Sequence, residues 1–477
     1  MADIIYDLAI IGSGPAGYTA AIRAGQWGLK TALIEKNARL GGTCLQVGCI
    51  PTKALLFSAE IFEHAKSAKE FGVAGVGAVS VDWATVLDRK NKIVAKHTKG
   101  LEFLMRKNKV DTLQGYGRLT GPAQNGVHTL EVLAPAGAAS QGSTPVRARQ
   151  VMLASGSEAR MLPGLAPDAR ILTNIEVLSL DRIPKSLIIV GSGAVGVEFA
   201  SIFRTFDAEV TILEMLPRLV PLEDEEVSKE LARVYRKRGI NFHAGAAVSK
   251  VERTATGVAV EFAVEGKTQR LEAEKVLIAV GRKPNTENLG LERVPGIKTE
   301  RGYVQVDEWM RTGEAGIYAV GDIIAGYPQL AHAGAMEAIT AVADIAKKPA
   351  KPVNKRHIPG AIYCEPQISS VGLTESMARE SGYEVKVGKF PFMANSKASI
   401  LGQHEGFVKV ISEAKHGELL GVHIIGPSAT ELIAECVAAL ELEATAEDLA
   451  FTVHPHPTLS EAILDAANSV YGLAINV

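Results

Sequence analysis

The chain has little cysteine, few aromatics and almost no net charge. Four cysteines in 477 residues cannot staple a secreted disulfide scaffold, so two of them placed close together point to metal binding or redox chemistry. With 51 basic and 53 acidic residues and a formal net charge of −2, there is no cationic field to gather nucleic acid. The opening MADIIYDLAI has no cationic segment, apolar segment and cleavage site of the secretory kind, so a reducing cytoplasm is the expected setting. The most apolar stretch, SLIIVGSGAVGVEFASIF (186–203), is broken by three glycines and Glu198 and reads as strand, turn and helix, not as a membrane span. Neither nucleic acid nor membrane is an expected partner.

What the chain does have is length for about three domains and an internal repeat. Residues 7–17, DLAIIGSGPAG, place Gly12, Gly14 and Gly17 in G-x-G-x-x-G spacing after an apolar strand; a helical run comes next, then a strand ending at Glu35. Residues 186–214 do the same with Gly191, Gly193 and Gly196, a helical run, and a strand ending at Glu214. In both copies the acid falls 23 positions after the first glycine. One such turn is weak information; two, each with strand, helix and acid in order, point to two dinucleotide sites. The first glycine makes the turn, the second admits a pyrophosphate to the backbone, and the third lets helix and strand close together. The helix N-terminus supplies N–H groups to the anion and the acid accepts from a ribose hydroxyl. A carboxylate at Glu214 repels a ribose 2′-phosphate, which favours NAD over NADP, although Arg218 stands nearby.

The cysteine pair lies in GGTCLQVGCIPTK (41–53), with Cys44 and Cys49 separated by four residues. Zinc is one reading, but no second cysteine or histidine pair stands at ligand spacing. Cys364 and Cys436 have no cysteine nearby and read as buried thiols. Near the other end, HPHPTLSE (454–461) offers a base for thiol chemistry, because a thiol attacks only as its thiolate. A short turn through Pro457 could return Glu461 to orient His456, the base-plus-orienter arrangement of hydrolase triads. His454 reads as structural.

A third segment, TGEAGIYAVGD (312–322), is an apolar strand ending in Asp322, where ligands of parallel sheets collect. With it the chain resembles, over essentially its whole length, the FAD- and NAD-linked pyridine nucleotide-disulfide oxidoreductases. The resemblance implies an α/β fold with two Rossmann-like dinucleotide-binding domains and a C-terminal α+β dimerisation domain. It places FAD binding in 1–150 and 277–349, NAD binding in 151–276 and dimerisation in 350–477. It makes GSGPAG with Glu35 the FAD copy, GSGAVG with Glu214 the NAD copy, and Asp322 the contact to the flavin ribitol. Cys44 and Cys49 become a redox-active disulfide, and His456 with Glu461 the catalytic pair that completes the partner subunit's site in a homodimer. Lys53 and Glu198 match an ion pair beside the flavin, and His332 a segment lying along it. LASGSEAR (153–160), with Ser155 and Gly156, and AVGRKPN (279–285), with Gly281, are similar to the crossings between the FAD and NAD domains.

Bridging Cys44 to Cys49 asks for a distorted turn, since in an ideal helix residues five apart lie about 8.6 Å from each other; Gly48 and Pro51 are suited to provide it. The chain departs from the family at Ser155, where threonine is usual, and at Gln46, where asparagine is commoner. Within the family, GGTCLQVGCIPTK, HPHPTLSE and FPFMANSKA (390–398) most resemble members that oxidise dihydrolipoamide with NAD⁺. Glu214 argues against a glutathione reductase, and the tail SVYGLAINV lacks the cysteine pair of a mercuric reductase. The alternatives are another, NADPH-dependent disulfide reductase, or a structural flavoprotein subunit. The expected partner is a lipoyl domain or lipoyl carrier protein of the 2-oxo acid dehydrogenase or glycine cleavage systems.

Overall fold

The computed structural model describes residues 4–134 and 142–476. Two compact units are each assembled from separated stretches of chain: Met1–Ala54, Leu87–Arg160 and Arg282–Val353 in the first, Leu55–Val86, Met161–Gly281 and Asn354–Val477 in the second.

The first unit is built on a seven-stranded sheet. Asp111–Gln114, Thr31–Glu35, Ile5–Ile11 and Ser143–Leu153 run parallel in that order, His128–Leu133 and Tyr116–Leu119 add an antiparallel edge, and Ile317–Ala319 lies parallel to Ser143–Leu153. The inner strands are apolar on both faces because helices cover them: Leu8, Ile10, Leu33 and Leu153 are fully buried, as are Ala20 and Ala24 of the helix Pro15–Gln26. The strand Ile317–Ala319 leads into the short helical turn Gly321–Ile323 that carries Asp322.

The second unit contains the second copy of the glycine motif. Asn241–Ala244, Glu209–Glu214, Ser186–Val190, Lys275–Ile278 and Ile171–Leu172 form a five-stranded parallel sheet. Ala247–Arg253, Val258–Val264 and Lys267–Ala273 form a three-stranded antiparallel sheet, and a five-stranded antiparallel sheet runs in the order Gly360–Ile362, Gln367–Gly372, Leu419–Gly426, Phe407–Glu413, Val385–Pro391, with helix Ala429–Glu441 against it. The α/β class and a separate α+β C-terminal part are as the sequence implied. A buried lysine that sequence reading missed ties a strand of this five-stranded antiparallel sheet to the start of helix Glu225–Lys237 and to helix Glu375–Glu380. Lys409, in the strand Phe407–Glu413, is 2% exposed and reaches Asp224 at 3.0 Å, Glu226 at 2.8 Å and Glu375 at 2.9 Å. A buried ammonium is held only when so paired, and removing one partner leaves the others uncompensated.

The two glycine turns have the same local geometry. Gly12 and Gly191 take φ of +104° and +103°, a region open to glycine, and each donates its N–H to the end of the neighbouring strand, to Ile34 O and Leu213 O, at 2.8 Å. A Cβ on Gly17 would stand 1.9 Å from Gly12 O, and one on Gly196 would stand 2.0 Å from Gly191 O, so the third glycine in each copy is demanded by backbone packing. Between the cysteines the chain breaks as expected: helix Gly42–Val47 stops at Gly48 and a new helix runs Cys49–Ser67. A Cβ on Gly48 would lie 2.9 Å from Thr43 O and 3.3 Å from the Cys44 Cα, so the kink closes tightly over Cys44. Substituting Gly17→Ala is expected to cost about 1–3 kcal/mol by overpacking against backbone, seen as a lowered midpoint in thermal melting; an unchanged midpoint would refute the packing role.

Candidate active site

Each glycine loop is organised by the serine inside it. Ser13 donates its N–H (3.0 Å) and Oγ (2.6 Å) to Glu35 Oε2, while Glu35 Oε1 accepts from the Asn37 N–H at 2.8 Å. In the second copy Ser192 gives its N–H and Oγ, both at 2.7 Å, to Glu214 Oε2, and Leu216 N–H reaches Glu214 Oε1 at 2.8 Å. Both acids are buried and locked in place by three donors, which leaves a lone pair for a ribose hydroxyl. Ser13 and Ser192 carried a signal that sequence reading passed over: each is the residue between the first two glycines of its copy.

The positions that a dinucleotide needs are open. Gly14 and Gly193 cap helices Pro15–Gln26 and Ala194–Thr205 with extended backbone and no side-chain cap, and a Cβ built on either meets nothing within 4 Å. The first-turn N–H groups of both helices are thus accessible to a pyrophosphate. In the second copy Arg218 does not project as a phosphate ligand; its Nη2 donates to Pro221 O (2.9 Å) and Glu223 O (3.1 Å). The residues present fit FAD and NAD.

The cysteine pair is fastened to the first loop. Gly41 N–H donates to Ser13 O and to Ser13 Oγ, each at 3.1 Å, and a Cβ on Gly42 would stand 2.6 Å from the Gly14 Cα. Cys44 and Cys49 are half-buried, in the reduced form, and hydrogen-bonded to each other. That contact, and then burial, pushes the Cys44 thiol far above its ordinary range, with the charge of half-buried Lys53 acting against both. Tyr18 senses the pair too: burial first, then Cys44 and Cys49, raise its phenol. The family-atypical Gln46 props the helix by donating Nε2 to Leu40 O (2.7 Å) and Thr98 Oγ1 (2.8 Å). Among the described residues no group of three or more histidine, cysteine or acidic side chains is placed to hold a metal.

Asp322 stands in the same unit, in the short helical turn Gly321–Ile323 that follows strand Ile317–Ala319. Ser157 Oγ donates to its Oδ2, Arg282 Nε lies 3.8 Å from that oxygen, and Arg282 also donates to Ser157 Oγ and Ser157 O at 2.6 Å. Glu337, buried, takes the Gly321 N–H at 2.7 Å. Ser157, Arg282 and Glu337 were not singled out from sequence. The two crossing segments meet as an antiparallel pair, Ser157–Ala159 with Arg282–Pro284. Ser155 Oγ donates to Asn285 O at 2.7 Å, so serine fills the threonine position with its hydroxyl engaged. Gly156 and Gly281 both take positive φ, +73° and +106°. His332 is exposed in the first turn of helix Ala331–Ile345.

The second unit carries the remaining residues. Glu198 is buried and accepts the Tyr363 N–H at 2.9 Å. His456 Nδ1 lies 2.9 Å from Glu461 Oε1, and Thr458 N–H donates to Glu461 Oε2 at 2.8 Å. Burial opposes ionisation of Glu461, yet the Thr458 N–H and His456 hold its carboxyl below the usual range. The imidazole's other face is open, with 71% of the side chain exposed. The FPFMANSKA segment is mechanical: buried Asn395 accepts from Ala398 N–H at 2.9 Å and donates Nδ2 to Thr458 O at 3.0 Å, bracing the His456–Glu461 turn. Cys364 and Cys436 are fully buried, as expected.

Known proteins agree with this geometry. Residues 6–338 match the pyridine nucleotide-disulphide oxidoreductase family model and residues 358–467 match the dimerisation domain of the same family. The chain is 44% identical to a dihydrolipoyl dehydrogenase of Rhizobium etli and 44% to one of Bacillus subtilis, in each case over 99% of both chains. It is 40% identical to the mitochondrial dihydrolipoyl dehydrogenase of Pisum sativum, over 99% of this chain and 92% of that one. In structure it is similar to LpdA of Mycobacterium tuberculosis, with a TM-score of 0.88, 29% identity, and 97% and 98% of the two chains covered. A loop that admits a pyrophosphate, a thiol pair pinned to it, a second such loop and a C-terminal dimerisation domain thus occur together, and the chain belongs to the pyridine nucleotide-disulphide oxidoreductase family.

Proposed function

We propose that the protein oxidises the dithiol of a dihydrolipoyl group to its cyclic disulfide and reduces NAD⁺. The observation that carries this is the seating of Cys44 and Cys49 on the Gly12–Gly17 loop through Gly41 and Gly42, which puts thiol chemistry beside one dinucleotide position.

Gly12, Gly14 and Gly17 with Glu35 would hold the FAD pyrophosphate and ribose, and Asp322 its ribitol; Gly191, Gly193 and Gly196 with Glu214 would hold NAD. When bound, FAD accepts an electron pair from the dithiol and NAD⁺ carries it away as hydride. The protein's own groups do the rest. His456 takes a proton from one substrate thiol, and Glu461, kept ionised, fixes the ring and stabilises the imidazolium. The thiolate attacks Cys44 Sγ of the oxidised pair, the Cys44–Cys49 bond breaks, and Cys49 leaves with the bonding electrons. The second substrate sulfur then displaces Cys44, forming the substrate disulfide. Each lost S–S bond is replaced by another, so two electrons remain on the Cys44–Cys49 pair. The proton of the second substrate thiol passes to Cys44, whose strongly raised thiol holds it and donates it toward Cys49, leaving the charge on Cys49. Lys53 partly offsets that charge.

The dimerisation domain supports a homodimer in which His456 serves the cysteine pair of a second copy. The substrate dithiol is best supplied as a lipoyl arm on a carrier domain of a 2-oxo acid dehydrogenase or glycine cleavage system. The accessible face of His456 supports approach of such an arm.

Purified protein is expected to form NADH from dihydrolipoamide and NAD⁺, and Cys49→Ser to abolish it; full turnover by that variant would sink the thiol pathway. His456→Gln is expected to lower kcat with dihydrolipoamide by about 10²–10⁴-fold while reduction of bound flavin by NADH persists; equal losses in both half-reactions would remove His456 from proton transfer. Gly14→Ala, with room for its methyl, is expected to melt within about 1 kcal/mol of the parent after flavin removal, yet to rebind FAD at least tenfold more weakly in a titration. Unchanged rebinding would show that the loop does not receive the pyrophosphate.

A further inference from the structure

The five-stranded antiparallel sheet of the second unit carries a polar row on one face. Ser370, His423, Lys409 and Lys389 are cross-strand partners in neighbouring strands, so their side chains stand on the same side of the sheet. His423 and Lys409 are buried, which is costly unless something polar covers them. The start of helix Glu225–Lys237 does so: Asp224 and Glu226 meet Lys409, and Glu226 also meets Lys389 at 2.8 Å.

The cations on this face are not shared evenly. Glu226 and Glu375 each have a further cation, Lys389 and Arg379. Asp224, with its side chain 3% exposed, turns both carboxylate oxygens to Lys409, at 3.0 and 3.2 Å. Burial works against the Lys409 ammonium, but Glu226, Glu375 and Asp224 together hold it above the ordinary lysine range. Asp224 is also the cap of its helix and accepts the Glu226 N–H at 3.0 Å.

That cap ends the loop that begins at Glu214, the acid of the second glycine copy. Within the loop, Val220 takes a φ of +40°, which a β-branched residue adopts only where its surroundings over-determine it. Its N–H donates to Ser192 Oγ at 3.2 Å and lies 3.3 Å from Ser192 O. Its carbonyl accepts the Glu223 N–H at 2.9 Å and Ser228 Oγ at 3.4 Å, and the Ser228 N–H returns to Asp224 O at 3.0 Å. A hydroxyl has one proton, so with the Val220 N–H on its lone pair Ser192 Oγ gives that proton to Glu214 Oε2, at 2.7 Å. Hydrogen bonds thus run from Lys409 through Asp224, Ser228, Val220 and Ser192 to Glu214.

We propose that Lys409 is a positioning residue for the nicotinamide cofactor: by clamping Asp224 it holds the strained Val220 turn against Ser192 and so fixes Glu214 for the adenosine ribose. The proposal rests on the reading of the second glycine copy as the NAD site. It adds a determinant of cofactor affinity within residues 358–467, the stretch that matches the family's dimerisation domain.

The test uses the holoenzyme. Lys409→Met keeps most of the side chain's length and its apolar stem but not its charge. It is expected to raise the KM for NAD⁺, and the inhibition constant of ADP-ribose against NAD⁺, about tenfold each, the size of one lost hydrogen bond to a charged group. With NAD⁺ saturating, kcat and the KM for dihydrolipoamide are expected to stay within about twofold of the parent. The effect is also expected to be non-additive with Glu214→Gln: in that background Lys409→Met should change the ADP-ribose constant by less than about twofold, because the acid it positions is already altered. Additive effects, or an unchanged constant in folded Lys409→Met, overturn the proposal. If Lys409→Met does not fold, Asp224→Asn decides by the same tenfold rise or its absence, since asparagine can still cap the helix without the charge that Lys409 holds. Glu214→Gln by itself separates the proposal from the reading beneath it. If that variant leaves the ADP-ribose constant unchanged, the assignment of NAD to this copy falls and the proposal with it; if it raises the constant while Lys409→Met does not, the proposal alone falls.

Discussion

The hydrogen bonds around Ser13 are the constraint on which the rest of the site depends. One small side chain, with its own backbone N–H and carbonyl, ties the acid at the end of the second strand to the glycine turn and the turn to the segment that opens the cysteine helix. All of these groups are buried or half-buried, where an unmade hydrogen bond costs about 1–3 kcal/mol. The loop, the acid and the cysteines therefore cannot move independently. A dinucleotide received at Gly14 and a thiol at Cys44 are kept in one register by this cluster.

The second copy shows what the cluster is for when the thiols are taken away. Ser192 makes the same bonds to Glu214, and the segment that closes back on it through Val220 N–H carries no cysteine. The same strand, turn and helix thus serve as a dinucleotide loop alone in one place and as a dinucleotide loop with a redox pair in the other. The chemistry was added by the segment after the second strand: in the first copy two glycines there allow the backbone of Gly42 to lie directly on Gly14.

The base is built on different principles from the thiols. His456 is exposed, and its placement comes from a chain of short-range polar contacts: Glu461 on the ring, Thr458 on Glu461, Asn395 on Thr458. Exposure is required of a group that must meet a substrate from outside the fold. A buried imidazole would be rigid without help, whereas an exposed one has to be held by its neighbours.

Much of this was legible in the sequence, and the reason is locality. The strand–turn–helix copies, the break at Gly48 and the His456–Glu461 contact are each set within a few residues, by hard backbone contacts or by a side chain reaching one turn along the chain. The family pattern added the identities of Asp322, Ser155 and the crossing segments. Tertiary structure alone decided the rest. Lys409 reads as an ordinary strand lysine until Asp224, Glu226 and Glu375, all distant in sequence, close around it. Ser157 and Arg282 become part of the Asp322 cluster only because segments 125 residues apart pair side by side. His454 reads as structural, and the Glu435 carboxylate 2.7 Å from its Nε2 stands on another helix that no local pattern announces. Sequence determines what a residue can donate or accept; folding decides which partner it meets, and burial then fixes how much that meeting is worth.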